Sequence, residues 1–538
     1  MKRLLTLLLI VLIATLADSC NRVLNTVPTD IVTPVNFYNS ENDLKTALAA
    51  VYDPLDNEYL YCSSLWYQLG ICTDEAFYQY SSNSYSAPMF YQYDYTNAYI
   101  TGLWQQCYMG IERANLLIAN INKPVMDSAR RQAIYGEALF LRAYYHFLLV
   151  SNWGDVPLKI TPTSDVNSIA IPRTPSKDVY AQILKDMELA EGKVNTSTAI
   201  GNASHVSKTA VEGILARVCL TMAGYPLLDQ SKYADALMWA GKVTASGEHS
   251  LRTTYNPGTN SAYSQIFINE CQDIYDTREC IWEADFYLNN NNTAYWEYGK
   301  VGTMSLNCVN LDTGYAGGNI RTTIKLYNLY KPGDLRRDWN IAPFYFNSTA
   351  TSATRVNYAA TDIIDRENAK WRRYYEPLSP TKQQYYNGTN FPIIRYSDVL
   401  LMQAEAENEV NGPTQLAYDA INQVRRRGYG VSITTPNTTA DLATGLSKDQ
   451  FRQAIMDERA RELCFEGLRK ADLIRWGTFN STLTAMITEI NASNASASNK
   501  TRWLLGYITA TSSNRYLLLP IPSLEININR AMTQNPGW

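Results

Sequence analysis

The chain has 538 residues, 46% of them hydrophobic, and 47 Lys and Arg stand against 51 Asp and Glu for a formal net charge of -4. Length alone suggests three or four domains and leaves room for a large core, while balanced charge with no basic stripe argues against nucleic acid as a partner. The unusual count is 39 Tyr beside 11 Trp and 13 Phe. A tyrosine joins a flat apolar face to a polar tip, which suits wet ligands and interfaces, although most of these rings are expected to pack between helices.

In chain order, residues 1–19 read as an export signal. Lys2 and Arg3 precede an apolar run from Leu4 to Ala17, too short to span a bilayer. Cys20 follows Ser19, which predicts lipoprotein processing: cleavage before Cys20 and acylation of its thiol and new amine. Ala17 and Asp18 depart from the usual lipobox, so ordinary secretion is the alternative. Several acyl chains would anchor stably where one would not. Residues 20–40 form a polar tether.

Apolar periodicity then predicts helices at 41–55, 103–121, 128–153, 175–192, 207–222, 232–247, 396–410, 414–427 and 447–476. Thr174 and Pro175 supply an N-cap and an N1 proline, and Ser207 opens the helix that Gly224-Tyr225-Pro226 stops. Small residues such as Ala236, Ala240, Ala404 and Ala406 suit closely packed helical pairs of tetratricopeptide type, although no clean repeat is present. Residues 62–102 and 250–395 break the rhythm. They are rich in Asn, Tyr, Gly, Thr and Ser, with short strand-like runs such as CIWEADF (280–286), and loops this long are usually functional.

The densest stretch is FRQAIMDERARELCFEGLRKADLIRWG (451–477). Ser447 and Gln450 form a capping box before it. Asp457 with Arg461, Glu466 with Lys470, and Asp472 with Arg475 fall at helical contact spacing. Gly467 costs about 1 kcal/mol against Ala inside a helix, so it marks a bend or a close contact. Glu462 and Glu466 could be an acid–base pair, but arginines match the acids almost one for one and would keep both ionised. A buried ion-pair network is the expected role.

ERARELCFEGLRKADLIRWG (458–477) resembles the C-terminal signature of the SusD/RagB family, surface lipoproteins of Bacteroidetes nutrient-uptake systems. GEALFLRAYYHFLLVSNWGDVPL (136–158), FPIIRYSDVLLMQAEAENEV (391–410), AINQVRRRG (420–428) and LLLPIPSLEININRAMTQNPGW (517–538) resemble further blocks in the family's order. The resemblance implies one mainly α domain over 41–538. Its tetratricopeptide-like scaffold would occupy about 41–60, 103–247 and 396–480, its irregular ligand-binding lobe about 62–102 and 250–395, and a closing segment 481–538. It further implies a lipid-anchored protein at the outer-membrane surface, capturing oligosaccharides as a lid on a SusC-like TonB-dependent transporter. Peptide capture, as in the RagB branch, is the alternative within the family, and an extracellular glycoside hydrolase is the alternative outside it.

Catalytic and metal motifs are absent. His146, His205 and His249 are scattered, no C-x-x-C pair occurs among the eight cysteines after Cys20, and no nucleophile, phosphate or dinucleotide motif is found. Neither an enzyme nor a cofactor is expected. Acids such as Asp74 with Glu75, or Glu283 with Asp285, look like ordinary loop and strand residues. Cys62 with Cys72, or Cys271 with Cys280, could pair in an exported chain. The aromatic loops 73–99 and 289–302 are the better candidates, because sugar rings stack on aromatics while their hydroxyls seek amides and carboxylates. The candidate ligand residues are Asp74, Phe77, Tyr78, Tyr80, Tyr91, Tyr93, Trp296, Tyr298 and Tyr315. If each stack resembles an aromatic pair, it contributes about 0.5–1.5 kcal/mol, and a few give micromolar to millimolar affinity.

Overall fold

Capping chemistry sets where most of the helices begin. The computed structural model describes residues 37–83, 86–165, 170–288, 298–378 and 382–538. Helix α1 (Glu41–Tyr52) starts at Ser40, whose hydroxyl accepts the Asp43 N–H while the Asp43 carboxylate accepts the Ser40 N–H. Asn97 caps α2 (Ala98–Asn120), which therefore begins ahead of the apolar run that predicted it at 103. Asp127 caps α3 (Ser128–Trp153), and Gly154 at φ 72° ends it. In α4 (Ser176–Glu191) Pro175 takes the cap position rather than N1, and Asp155 accepts the Ser176 N–H at 2.7 Å. Ser207 caps α5 (Lys208–Ala223) as expected, and α6 (Lys232–Ala245) follows.

Helix α7 (Ala262–Cys271) lies inside the stretch expected to be irregular. Every one of its residues is buried, so it carries no amphipathic period to reveal it. Then come α8 (Tyr396–Asn411), α9 (Gln415–Gly428), α10 (Lys448–Leu463), α11 (Arg469–Arg475), α12 (Phe479–Ala492) and α13 (Ala497–Thr511). The single helix expected over 447–476 is two. Phe465 and Gly467 adopt φ 67° and 73°, and a Cβ on Gly467 would lie 2.7 Å from the Trp66 Cβ. Backbone there needs both the left-handed conformation and the missing side chain.

Helices pack in neighbouring pairs: α1 on α2, α2 on α3, α3 on α4, α5 on α6, α8 on α9 and α12 on α13. Ala236 and Ala240 of α6 and Ala404 and Ala406 of α8 are fully buried, and α6 packs on α8. Three antiparallel two-stranded ladders complete the fold. Strand β1 (Ala76–Tyr78) pairs with β3 (Ile320–Thr322), β2 (Cys280–Ala284) with β6 (Phe391–Arg395), and β4 (Phe344–Thr349) with β5 (Ser352–Asn357). All eight cysteines from Cys62 to Cys464 are buried free thiols, so the Cys62–Cys72 and Cys271–Cys280 pairings do not form. Among the described residues, no helix is long and apolar enough to cross a membrane.

The ion-pair network expected around α10 is present and buried. Glu462 accepts from Arg427 at 2.5 Å, Arg395 at 3.0 Å and Arg336 at 3.1 Å, and Glu458 takes Arg336, Arg425 and Arg461. Burial works against ionisation of Glu462, but the three arginines outweigh it and hold the carboxyl at about 2. Asp472 pairs with Arg475 as expected. The other two pairs differ. Arg461 turns to Glu458, and Asp457 instead takes Gln453. Glu466 lies past the helix break, where it meets Lys370 and Arg395, each at 2.6 Å, rather than Lys470.

Candidate functional site

Five of the predicted ligand residues are core residues. Asp74 accepts from Arg469 through Nε and Nη2, each at 2.8 Å, and from Lys325 at 2.7 Å. Burial opposes its ionisation, yet these cations hold the carboxyl well below the usual range. Phe77 packs on Trp503 and Tyr78 edge-on to Phe90. Tyr91 donates its hydroxyl to the Cys72 carbonyl at 2.8 Å, and Tyr93 stacks on Trp538 at 5.3 Å. All five are buried, so none presents a ring face or carboxylate on an open surface. Phe77 and Tyr93 meet rings from α13 and the end of the chain, Trp503 and Trp538, more than 400 residues away. Trp296, like Cys20, lies outside the described residues.

The remaining three come together with two tyrosines that the sequence reading did not single out. Tyr298 contacts Tyr386 at 3.8 Å between ring centroids, and Tyr315 meets Tyr385 edge-on at 6.2 Å. Tyr385 and Tyr386 are themselves 6.5 Å apart. The Tyr80 hydroxyl lies 3.5 Å from the Gly317 carbonyl, beside the Tyr315 loop. Tyr385 is 58% exposed and Tyr80 43%, while Tyr298 and Tyr315 are half-buried.

A buried ion pair holds this surface from below. The Arg373 guanidinium donates to Glu376 at 2.7 and 3.1 Å. The same guanidinium donates to the carbonyls of Gln383 at 2.8 Å, Tyr386 at 3.0 Å and Gln384 at 3.3 Å, and also to that of Tyr315. One side chain thus ties the 315 and 383–386 loops together. Gly299 and Asn387 exchange both backbone hydrogen bonds, at 2.8 and 2.9 Å, which brings Tyr298 against Tyr386. Asn387 donates its amide to Glu376 at 2.8 Å, closing the circuit. Loops normally cost conformational entropy when they bind, and this frame lowers that cost in advance.

Among the described residues, such a surface offers ring faces and phenolic hydroxyls, and the carboxylate beneath it, Glu376, is taken by Arg373 and Asn387. Glu283, one of the acids weighed from sequence, is buried and accepts from Asn390 at 3.0 Å. Among the described residues, no group of three or more His, Cys, Asp or Glu could hold a metal ion.

Comparison with known proteins decides the family. Residues 278–538 match the SusD family, and residues 26–220 match a family described as starch-binding associating with the outer membrane. The chain is a SusD-like family protein. It is 25% identical to SusD-like protein P2 of Formosa agariphila, over 95% of each chain. It superposes on a SusD homolog from Bacteroides thetaiotaomicron with a TM-score of 0.85 at 27% identity, covering 94% of this chain and 98% of that one. Surface glycan-binding protein A from Bacteroides fluxus shares the fold, with a TM-score of 0.69 at 20% identity over 93% of this chain and all of that one.

In this SusD-like protein, Tyr385, Tyr386 and Arg373 are the residues that sequence reasoning missed. QQYYNG (383–388) carries the same signal that singled out 289–302: adjacent tyrosines among amides, followed by a glycine. Arg373 carried only the faint signal of Glu376 three residues on, because its other partners are backbone carbonyls, which leave no side-chain pattern.

Proposed function

We propose that this protein captures oligosaccharides non-covalently on the surface built by Tyr80, Tyr298, Tyr315, Tyr385 and Tyr386. It holds them for delivery to a SusC-like TonB-dependent transporter, and acylated Cys20 keeps it at the outer-membrane surface. The observation that carries the reading is the convergence of these five tyrosines from separate loops over the Arg373–Glu376 pair. Tyrosine rings with amides between them suit a ligand that has C–H faces and hydroxyl edges. The family description, starch-binding in association with the outer membrane, supports the same chemistry and location.

Affinity electrophoresis of residues 21–538 through gels carrying different neutral polysaccharides tests capture. Retardation by one polymer, left intact afterwards, is the expected result. Retention unchanged in a Tyr315→Ala/Tyr385→Ala variant would remove the tyrosine surface from the account, and a shortened polymer would make the protein a hydrolase. Labelled palmitate incorporated by the wild type and lost in Cys20→Ser tests the anchor.

A further inference from the structure

Glu58 and Lys300 form an ion pair of 2.5 Å beside the tyrosine surface, joining segments 242 residues apart in the chain. The Lys300 ammonium lies 5.8 Å from the Tyr386 ring centroid. At the Glu58 end, the neighbouring Tyr59 meets Tyr99 of α2 edge-on at 6.2 Å. Tyr59 and Tyr99 are half-buried, as are Tyr298 and Tyr386, so the ion pair links two partly open pairs of rings. The Glu58 side chain is 32% exposed and that of Lys300 14%. Among the described residues, the bond they share is the only one either side chain makes. One carboxylate oxygen and two ammonium N–H groups therefore stay unspent. Both backbones are fixed. The Glu58 carbonyl takes the Ser64 N–H at 2.9 Å and its hydroxyl at 2.8 Å, and the Lys300 carbonyl takes the Thr303 hydroxyl at 2.7 Å, one residue after the Gly299–Asn387 bridge.

An ion pair this exposed adds little to stability. Glu462, by contrast, spends its oxygens on three buried arginines and has none to offer. A carboxylate accepts from a hydroxyl and an ammonium donates to one, and bonds of this charged kind are roughly twice as strong as neutral ones. The two charges touch, so a ligand that uses both must bring a donor and an acceptor close together, as neighbouring hydroxyls on one sugar ring do. A charged ligand would meet one of the two with like sign. We infer that the Glu58–Lys300 pair is the specificity-determining contact of the glycan surface, taking two neighbouring unsubstituted hydroxyls of a neutral sugar while the flanking tyrosines take ring faces. Held backbones on both sides lower the ordering cost of that contact. This assignment rests on the glycan-capture reading and narrows it to glycans whose hydroxyls are free rather than O-acylated or O-methylated.

Titration calorimetry of the detergent-solubilised full chain tests it with maltohexaose, laminarihexaose, cellohexaose and mannohexaose. Each is measured beside its per-O-methylated form, which keeps the ring faces and removes every hydroxyl donor. At least one native hexamer should bind about tenfold or more tighter than its methylated form. Glu58→Gln and Lys300→Met should each weaken that hexamer by about fivefold or more, leave affinity for the methylated form unchanged, and melt within a few degrees of wild type. Native affinity unchanged in both variants would overturn the inference. Equal weakening of native and methylated forms would overturn it too, since that marks a merely structural pair. The two readings fail separately. Binding that is lowered by Tyr385→Ala but indifferent to Glu58→Gln and Lys300→Met sinks the hydroxyl contact alone. Binding lowered by those two variants and indifferent to Tyr385→Ala sinks the outer tyrosines alone, and no binding of any hexamer by the wild type sinks both.

Discussion

The junction of α10 and α11 and the tyrosine surface are both dense in hydrogen-bonding side chains, yet they are built in opposite ways. At the junction, acids and arginines close on one another: Glu458, Glu462 and Glu466 are all buried and spend their oxygens on protein cations. At the surface, the buried Arg373–Glu376 pair lies underneath, Lys300 in its pair with Glu58 sits 5.8 Å from the Tyr386 ring centroid, and the rings keep part of their faces in water. The first arrangement leaves nothing for a ligand and fixes the shape of the chain. The second leaves most of its bonding capacity outward and borrows rigidity from one buried pair. A region rich in charge is therefore a poor guide to function until its partners are counted.

Glu462→Ala gives the largest expected effect. It strips three arginines of a shared buried counter-charge, and breaking such an arrangement costs about 3–5 kcal/mol. Urea denaturation should show this loss, whereas Tyr385→Ala should stay within about 0.5 kcal/mol of wild type. Equal losses at the two positions would erase the distinction between frame and surface.

Gly467→Ala comes next. A side chain there must sit at φ 73° and 2.7 Å from the Trp66 Cβ, so backbone strain and overpacking together should cost about 2–4 kcal/mol. Thermal melting measures it, and a shift of less than a degree would mean that the turn between α10 and α11 relaxes freely.

Much of the frame was legible in the sequence, because helices announce themselves through caps and a regular apolar period. Ser447 with Gln450 and Ser207 mark their helices as expected, and the four alanines are fully buried on α6 and α8, which pack together. What escaped had no periodic signal. Helix α7 is buried on every side, Glu466 was paired by spacing along a helix that in fact ends at Leu463, and within that helix Arg461 is taken by Glu458 rather than Asp457. The tyrosine surface was half legible. Composition pointed to Tyr80, Tyr298 and Tyr315, but the same composition also pointed to Tyr78, which packs on Phe90, and to Phe77, Tyr91 and Tyr93, which pack against rings far along the chain. Local sequence does not say which side of a loop faces the core when the partners are hundreds of residues distant.

Acid and alkaline pH should separate two kinds of buried carboxylate. Burial pushes Glu270 up to about 8, despite the Trp371 indole N–H at 2.6 Å and the nearby Arg395, which pull it down. A folded value raised above the ordinary 4.5 gives stability that is complete below that value and is lost as pH rises through about 8. Glu462, held at about 2, works the other way: its contribution is complete above the ordinary 4.5 and is lost as pH falls toward 2. Glu270→Gln should therefore melt close to wild type at pH 5 and above it at pH 9. A difference between the two melting curves that does not change with pH would mean that Glu270 is ionised throughout.

The smallest effect is the one most tied to function. Tyr385 is the most exposed ring of the surface, contacts Tyr315 only edge-on, and its hydroxyl makes no hydrogen bond among the described residues. Removing it takes away about one stacking contact, about 0.5–1.5 kcal/mol, or roughly two- to tenfold in affinity. Arg373→Ala should weaken capture by at least as much although it touches no ligand, because the Tyr315 and Tyr386 loops lose their common anchor. Calorimetry on whichever neutral glycan retards the wild type, with melting temperatures measured alongside, tells the two roles apart. Tyr385→Ala should lower affinity at constant stability, and Arg373→Ala should lower both. Full affinity in Arg373→Ala would show that the loops hold their places without the buried pair, and the rigidity assigned to it would then have to come from the Gly299–Asn387 bridge.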